Sequence, residues 1–296
     1  MNKILVTGGF GFIGSYITEE LLRNKYEVIV ADISDEHAVV GAKYINCDIL
    51  SHNDLNKVFN EDFDTIIHLA GFSNLRESVN NPTLTLSLNT LATTTILELA
   101  VKKGVKKFIY GSSAYANSNK GSFYGISKLA SEKIIEEFNQ KFNLDYLILR
   151  YGSVYSERES HNNYMYNLIA NALNKGTIDH HSNGLELREY IHAQDVARLT
   201  VQVIENKEYI NESFILTGIE QYTRLQLFQM IKEISGKNIT INMSKEDDKN
   251  QYKLSPYSFQ PSRARKLIAN PQIDLGQGLL DIIRKINSYE IKADLQ

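Results

Sequence analysis

Two side chains that could move a proton stand four positions apart, Tyr124 and Lys128, in the segment FYGISK. If this segment is helical, the two side chains share one face about one turn apart. A tyrosine with an ordinary pKa of about 10 is a poor base at neutral pH, but a nearby ammonium stabilises its phenolate. The pair could therefore exchange a proton with a hydroxyl or carbonyl group. In a chain with 17 tyrosines, this spacing also arises by chance.

A serine pair precedes this segment. Ser112 and Ser113 end an apolar run that is typical of a buried strand. Doubly wound sheets bind their ligands at the carboxyl ends of the strands. We therefore expect the Ser113 hydroxyl to bond the same substrate oxygen as Tyr124. A turn-forming serine at a strand end is the structural alternative.

A glycine-rich turn near the N-terminus is typical of a phosphate-binding loop. It has the sequence TGGFGFIG over residues 7–14, follows an apolar run and opens a helical pattern. Glycine permits the tight turn, the close approach of a pyrophosphate and the packing of helix on strand. The helix N-terminus then offers N–H groups to the anion. The residues expected to hold a dinucleotide here are Gly8, Gly11, Phe12, Ile13 and Gly14.

An acidic residue ends the next predicted strand. Asp32 follows the last glycine of the turn by eighteen positions. A carboxylate at this place accepts hydrogen bonds from the adenosine ribose and repels a 2′-phosphate. No arginine follows closely, so NAD is favoured over NADP. Capping of the following turn is the alternative role for Asp32.

The elements that must position these residues alternate between strands and helices. Apolar runs predict buried strands at 3–7, 27–32, 43–47, 65–69, 107–112 and 144–150. Helical patterns lie between them at 12–24, 52–59, 83–103 and 125–140. This alternation predicts an α/β Rossmann fold, a doubly wound parallel sheet with helices on both faces.

After about residue 155 the alternation stops. Helical patterns recur near 162–175, 194–206, 223–235, 262–268 and 277–288, and residues 245–252 form a charged segment expected to be a loop. Thr223 and Gly236 are the expected N-cap and C-cap of the third helix. We expect an NAD-binding domain over 1–155, to which 188–206 returns. A smaller C-terminal substrate-binding lobe would then comprise 156–187 and 207–296.

Composition limits the partners. Of the 296 residues 43% are hydrophobic and 23% charged, and the formal net charge of −3 provides no basic field for a nucleic acid polymer or a membrane. No apolar run of transmembrane length is expected. The single cysteine, Cys47, excludes an internal disulfide and fits a reducing compartment. We therefore expect a cytoplasmic protein, and no metal site.

Together the motifs resemble a known family, the extended short-chain dehydrogenase/reductases, in the branch of nucleotide-sugar epimerases, dehydratases and reductases. The resemblance spans most of the chain. Besides the features above, it rests on Cys47-Asp48-Ile49, His68-Leu69-Ala70-Gly71, Asn89, Leu149–Tyr155 and Arg188–Ala197.

The resemblance implies catalytic roles. Tyr124 would be the general acid and base, and Lys128 would bind the nicotinamide ribose and lower the tyrosine pKa. Ser113 would orient the sugar oxygen. Further implied cofactor contacts are Asp48, Ile49, Leu69, Ala70, Gly71, Asn89 and Tyr151.

The resemblance also implies substrate contacts. Arg188 would meet the diphosphate, with a surface ion pair to Glu186 or Glu189 as its alternative. Ser153 would lie against the substrate. His192 and Asp195 would be structural.

The chain departs from the family pattern around the sugar site. Only ten residues separate Ser113 from Tyr124, and Asn117 stands where a tyrosine is expected, which reshapes the sugar pocket. Ala114 and Tyr115 replace the acid pair typical of 4,6-dehydratases, which disfavours elimination of water.

Two further departures concern substrate contacts. Ser153, Ser156 and Glu157 replace the Asn, Gly and Pro of the family's N-V-Y-G-P. No clear second arginine for the diphosphate follows near the C-terminus, where Lys253 or Arg263 would have to substitute.

These features predict hydride transfer at C4 of an NDP-hexose with NAD as cofactor. A 4-epimerase is favoured, and an NDP-4-keto-6-deoxyhexose 4-reductase is the alternative. A non-catalytic NAD-bound sensor is less favoured because the serine, tyrosine and lysine are intact. The predicted helices 83–103 and 125–140 are widely apolar and resemble the family's four-helix dimer interface, so we expect a homodimer.

Overall fold

The computed structural model describes residues 3–118, 120–244, 253 and 264–293. Its centre is an eight-stranded parallel sheet with the order β13-β10-β6-β5-β4-β1-β2-β3. The strands are β1 (Lys3–Thr7), β2 (Glu27–Asp32), β3 (Lys43–Asn46), β4 (Thr65–His68), β5 (Lys107–Ser113), β6 (Asp145–Tyr151), β10 (Glu212–Leu216) and β13 (Arg265–Leu267). The six strands predicted in the first half are confirmed to within one residue at each end.

The strand order fixes where ligands can enter. Chain progression from β1 runs to β2 and β3 on one side, and from β4 onward on the other. The carboxyl ends of β1 and β4 therefore flank the crevice at which doubly wound sheets bind nucleotides. The Rossmann prediction is confirmed.

Helices cover both faces of the sheet, because each presents an apolar stripe that only the sheet can bury. The helices that bury such a stripe against this sheet are α1 (Phe12–Arg23), α2 (His52–Phe59), α5 (Ala92–Lys103), α6 (Ser122–Phe142) and α8 (Ala193–Glu205). The remaining helices are α3 (Leu75–Ser78), α4 (Pro82–Leu86), α7 (Tyr164–Lys175), α9 (Arg224–Ser235) and α10 (Leu275–Ala293). Thr223 caps α9 in a capping box and Gly236 ends it at a left-handed φ of 64°, both as predicted.

The helix predicted over 83–103 is continuous but not uniform. A π-helical turn, Ser87–Leu91, joins α4 to α5. The combined stretch Pro82–Lys103 has the length and the mean hydropathy, 1.3, of a membrane-spanning helix, although the sequence had suggested no such run. Ile96 and Leu97 are fully buried in the core beneath the sheet. A core helix passes this test equally well, so the stretch is weak support for a membrane span.

Smaller sheets lie beyond β6. Three strands pair in the order β11-β9-β7 and two in the order β12-β8. They are β7 (Ser153–Tyr155), β8 (Thr177–His180), β9 (Leu187–His192), β11 (Gln221–Thr223) and β12 (Thr240–Met243). A separate core forms among α7, α9 and α10.

The C-terminal part differs from expectation in two ways. The helix predicted at 262–268 is wrong where the structure describes it, because Arg265–Leu267 is strand β13 and pairs with β10 at the sheet edge. Such a short stretch takes its conformation from the partner strand rather than from its own propensity. The range 207–296, expected in the substrate lobe, also supplies β10 to the main sheet. The loop predicted at 245–252 lies outside the described residues.

Candidate functional site

The turn after β1 has the shape that a bound pyrophosphate requires. Gly8 has a left-handed φ of 69°, which glycine adopts without strain. A Cβ at Gly14 would collide with the Gly8 carbonyl, so only glycine lets α1 start this close to β1. The first N–H groups of α1 open from Gly11 and Phe12. The turn therefore fits the dinucleotide that its sequence predicts.

Asp32 ends β2 beside this turn. Its carboxylate accepts from the Phe10 N–H at 3.0 Å and from the Ile33 N–H at 2.8 Å. The side chain thus caps its own turn and holds the glycine turn, and its contact with an adenosine ribose stays a prediction. The two roles weighed for Asp32 are compatible.

The loop after β4 forms the other wall of the crevice. The N–H groups of Leu69 and Ala70 each donate to the Thr7 carbonyl at 3.0 Å. Gly71 and Phe72 follow, and the Asn89 amide clamps Phe72 by accepting from its N–H at 2.7 Å and donating to its carbonyl at 3.0 Å. Asn89 thereby holds the loop that lines the expected cofactor site.

Two other residues that the resemblance implies as cofactor contacts lie beyond β3. Ile49 is buried at 5% exposure, whereas Asp48 is exposed and accepts from the Leu50 N–H at 2.9 Å. Their loop follows β3 at the same carboxyl edge of the sheet.

Ser113, Tyr124 and Lys128 are brought together at the carboxyl end of β5. Ser113 is the last residue of β5, and its hydroxyl accepts from the Tyr115 N–H at 3.2 Å. Tyr124 and Lys128 lie one turn apart on α6, and the Tyr115 ring contacts the Tyr124 ring edge to face at 6.4 Å. Lys128 Nζ donates to the Gly111 carbonyl at 2.8 Å, two residues before Ser113.

The electrostatics of Lys128 suit a proton-transfer site. Burial lowers its pKa to about 8, while the nearby Glu132 carboxylate opposes the shift. The ammonium lies 4.7 Å from the centre of the Tyr110 ring, a cation–π contact. Burial also lowers the pKa of His68 to about 3, so this neighbouring imidazole is neutral. Lys128 is thus charged at neutral pH but close to titration.

Behind this site lies a buried network that the sequence analysis missed. Glu132 accepts from Arg150 Nε at 2.9 Å and from Nη2 at 2.7 Å, and from the Ser112 hydroxyl at 2.5 Å. Glu132 follows Lys128 by one helical turn, and Ser112 adjoins Ser113. The four-residue spacing from Lys128 to Glu132 was the available signal.

The expected substrate residues continue from this edge. Strand register places Ser113 opposite Tyr151 and, two residues later, Ser153 opposite Tyr190 on β9. Arg188 lies on β9 at 2% exposure, so it is buried rather than at the surface as the ion-pair alternative required.

The two substitutes considered for a second diphosphate cation are placed unequally. The Lys253 carbonyl accepts from the Leu187 N–H at 2.9 Å, which brings its backbone beside Arg188, and Lys253 itself is exposed. Arg263 lies outside the described residues.

The segment that departs from N-V-Y-G-P has a defined role in packing. Glu157 accepts from the Tyr16 hydroxyl and from His192 Nε2, both at 3.0 Å. These bonds outweigh desolvation and lower the Glu157 pKa to about 2.

Arg158, the next residue, lies with its guanidinium carbon 3.8 Å from the Tyr16 ring centre. With Gly11, Arg158 helps line a cavity of about 240 Å³ beside the phosphate turn. His192, as expected, is structural: it is also the N-cap of α8.

Comparison with known proteins agrees with this geometry. Residues 4–216 match the model of the NAD dependent epimerase/dehydratase family. A candidate UDP-glucose 4-epimerase of Methanocaldococcus jannaschii is 29% identical over 302 residues, which cover 95% of this chain and 97% of that protein.

Two solved structures are similar over nearly the whole chain. The UDP-glucuronic acid 4-epimerase of Bacillus cereus, in complex with UDP-glucuronic acid and NAD, is 27% identical with a TM-score of 0.84, covering 97% of this chain and 99% of that one. The UDP-glucose 4-epimerase of Thermotoga maritima with UDP-glucose is 26% identical with a TM-score of 0.82 and the same coverage.

Proposed function

Because this chain belongs to the NAD dependent epimerase/dehydratase family, we propose that it is an NAD-dependent NDP-hexose 4-epimerase in which Ser113, Tyr124 and Lys128 carry out catalysis. The observation that carries the proposal is the convergence of these three side chains at the carboxyl end of β5. The 4-epimerases among the similar proteins support the choice of reaction.

In this proposal NAD, when bound, would supply the hydride chemistry at the sugar C4, so that this carbon can be oxidised and then reduced on its opposite face. Tyr124 removes the C4 hydroxyl proton as the carbon is oxidised and returns it at the end. The Lys128 ammonium stabilises the Tyr124 phenolate. Ser113 holds the C4 oxygen within reach of Tyr124. The crevice residues around Gly14, Asp32 and Asn89 would hold the cofactor.

The residues after Ser113 support epimerisation rather than dehydration. Loss of water from the sugar needs a further acid and base near C5 and C6. Ala114 is buried and apolar, and Tyr115 packs against Tyr124 in a 3₁₀ turn, Ala114–Asn117. Neither residue provides a carboxyl group there.

The substrate and the lobes are part of the same proposal. Arg188 and Ser153 would contact a nucleoside diphosphate sugar, with a UDP-hexose as the first candidate because both similar structures carry UDP-sugars. The NAD-binding domain would comprise 1–155 with 188–206, and the lobe built by α7, α9 and α10 would cover the substrate. Cytoplasmic nucleotide-sugar pools are the expected source.

Incubation of the purified protein with UDP-glucose, followed by chromatographic separation of UDP-glucose and UDP-galactose, tests the function. We expect interconversion from either side to one equilibrium ratio, with no net change in NADH absorbance. Stoichiometric NADH consumption with a 4-keto sugar would instead establish a reductase. Absence of conversion for a panel of NDP-hexoses would leave only NAD binding and contradict the proposal.

We further propose a homodimer through α4, α5 and α6. Apolar side chains are exposed along these helices and between them, among them Leu84, Leu91, Ile126 and Leu129 at 43%, 62%, 59% and 40%. Exposed apolar side chains on adjacent helices favour burial against another protein surface, and a second copy offers the same helices in a two-fold arrangement.

A further inference from the structure

A second buried arginine lies in the substrate lobe, on the element next to Arg188. Arg224 is the first residue of α9 and only 9% exposed. It directly follows β11, which pairs antiparallel with β9 so that Tyr222 lies opposite Arg188. The chain thus brings two guanidinium groups from separate elements to one small sheet.

Both guanidinium groups belong to the same face of that sheet. Arg188 and Tyr190 alternate along β9 and therefore point to the same side. Arg224 Nη1 donates to the Tyr190 hydroxyl at 3.0 Å, which places its guanidinium on that side as well. Glu189, which lies between Arg188 and Tyr190, points to the opposite side of the sheet. Its carboxylate accepts from Gln221 at 2.9 Å and from Lys266 at 2.7 Å.

Aromatic rings hold the Arg224 guanidinium in place. Its central carbon lies 4.6 Å from the centre of the Tyr164 ring and 5.8 Å from that of Tyr190. Such cation–π contacts position the guanidinium, and a positioned guanidinium suits the planar, paired hydrogen bonding that phosphate oxygens accept. Tyr164 is 44% exposed, so this cluster opens to solvent on the Tyr164 side.

Glu186, two residues before Arg188, bonds with groups of its own loop. Glu186 accepts from the Ser182 hydroxyl and faces His180 Nε2 at 3.4 Å. Its backbone carbonyl accepts from the backbone N–H of Arg224 at 3.1 Å, which ties the start of α9 to the loop before β9. Two cations and two tyrosines on one face match a ligand that is both anionic and planar.

The cluster adjoins the reaction site. Tyr190 pairs with Ser153, and Ser153 lies two residues beyond Tyr151, the partner of Ser113. A nucleotide on β9 would therefore leave its sugar directed toward the end of β5.

We propose that Arg224 is a substrate-binding residue that contacts the diphosphate of the nucleoside diphosphate together with Arg188. This inference rests on the proposed function, since it assigns Arg224 to the nucleotide of that substrate. Arg224 then fills the place of the second diphosphate cation, for which the sequence suggested only Lys253 or Arg263.

Binding of UDP and of uridine to the NAD-loaded protein tests this assignment without turnover. We expect Arg224→Met to raise the Kd for UDP by ~10- to 100-fold, the usual effect of losing a charge-assisted hydrogen bond. The Kd for uridine, measured by competition, should change less than ~3-fold. Arg224→Lys keeps a point charge without the planar fork and should give an intermediate loss for UDP.

Arg23→Met is the matched control, since Arg23 is an exposed arginine at the end of α1, and it should leave both Kd values unchanged. An equal loss for UDP and uridine in Arg224→Met would show that Arg224 only supports the tyrosine pocket, and would overturn the inference. Unchanged UDP binding would overturn it as well. If the unaltered protein binds neither ligand and converts no NDP-hexose of the panel, the proposed function itself fails.

Discussion

Glu132 and Arg150 form a bidentate ion pair whose side chains are 1% and 6% exposed, directly behind Ser113 and Lys128, the proposed catalytic serine and lysine. The pair joins α6 to β6, and the Ser112 hydroxyl adds β5. One carboxylate therefore sets the distance between the helix that carries Tyr124 and the strand that ends at Ser113.

Glu132→Gln should lower the free energy of unfolding and shift the pH dependence of kcat. It leaves the Arg150 charge buried without its counter-ion, which costs about 3–5 kcal/mol in free energy of unfolding. The Glu132 carboxylate raises the Lys128 pKa, so its loss should move the basic limb of the kcat profile to lower pH. The other groups that face Lys128 are Tyr110, neutral His68 and Tyr124. The substitution of Glu132 adds no negative charge to any of them that would offset the fall in the Lys128 pKa.

Urea unfolding and kcat measured between pH 6 and 10 check this prediction. Glu136→Gln on the same helix breaks only an exposed pair with Lys133 and should cost less than about 0.5 kcal/mol. If the basic limb of the kcat profile lies at the same pH in the Glu132 variant and in the unaltered protein, Glu132 has a purely structural role.

Tyr124→Phe removes the proposed proton-transfer hydroxyl but retains the ring against Tyr115. We expect kcat to fall at least ~10²–10⁴-fold, the range for a lost general acid and base, with NAD affinity unchanged. Tyr26→Phe, which removes an exposed hydroxyl bonded to Glu205, serves as control and should retain full activity. Substantial turnover by the Tyr124 variant would remove this residue from the mechanism.

Asp32→Ala should shift cofactor preference toward NADP, because the carboxylate that repels a 2′-phosphate is gone. Equilibrium binding of NAD and NADP should show the affinity ratio changing by about tenfold or more. Asp48→Asn is a useful comparison. If Asp48 contacts the adenine, which both cofactors share, its loss should weaken the binding of NAD and of NADP equally. An unchanged ratio in the Asp32 variant would restrict Asp32 to bracing Phe10 and Ile33.

Glu157 should make the free energy of unfolding depend on pH in the acidic range. Its pKa is about 2 in the folded protein, below the ordinary carboxyl value of 4.5. Its stabilising contribution is therefore complete above pH 4.5 and is lost as the pH falls toward 2. Glu157→Gln should lower the free energy of unfolding at pH 7, and the difference from the unaltered protein should shrink between pH 5 and 3. A constant difference across this range would contradict the assignment.

Leu91→Glu should disrupt the proposed dimer, because it places a charge in the centre of the exposed apolar face. Size-exclusion chromatography with light scattering should give the mass of one chain for the variant and of two for the unaltered protein. Ile210→Glu introduces the same charge at an exposed apolar residue outside these helices and should remain dimeric. A monomeric unaltered protein would exclude this interface.

The sequence was sufficient wherever a local pattern determines the structure. The turn at Gly8–Gly14, the strand ending at Asp32 and the pair Tyr124–Lys128 all depend on nearest-neighbour chemistry, so their elements were predicted closely. Arg265–Leu267 was mistaken for a helix because three residues take their conformation from β10.

The missed site residues share a different cause. Glu132 with Arg150 and Arg224 with Tyr190 are joined only by the folded chain, across 18 and 34 positions. The four-residue spacing from Lys128 marks Glu132 itself, but no spacing within the sequence joins it to Arg150 or joins Arg224 to Tyr190. Their burial alone, unusual for arginine and glutamate, would have marked them.

The strand order has a consequence for synthesis of the chain. During synthesis β6 is an unpaired edge strand until β10, some sixty residues later, pairs with it. β13 then pairs with β10 only after residue 267 has been made. A nascent chain ending near residue 155 would therefore present a complete mononucleotide fold with one apolar strand unpaired. Such edges invite pairing with other chains, so products that end before β10 should aggregate, and residues 212–216 decide whether the β6 edge is covered.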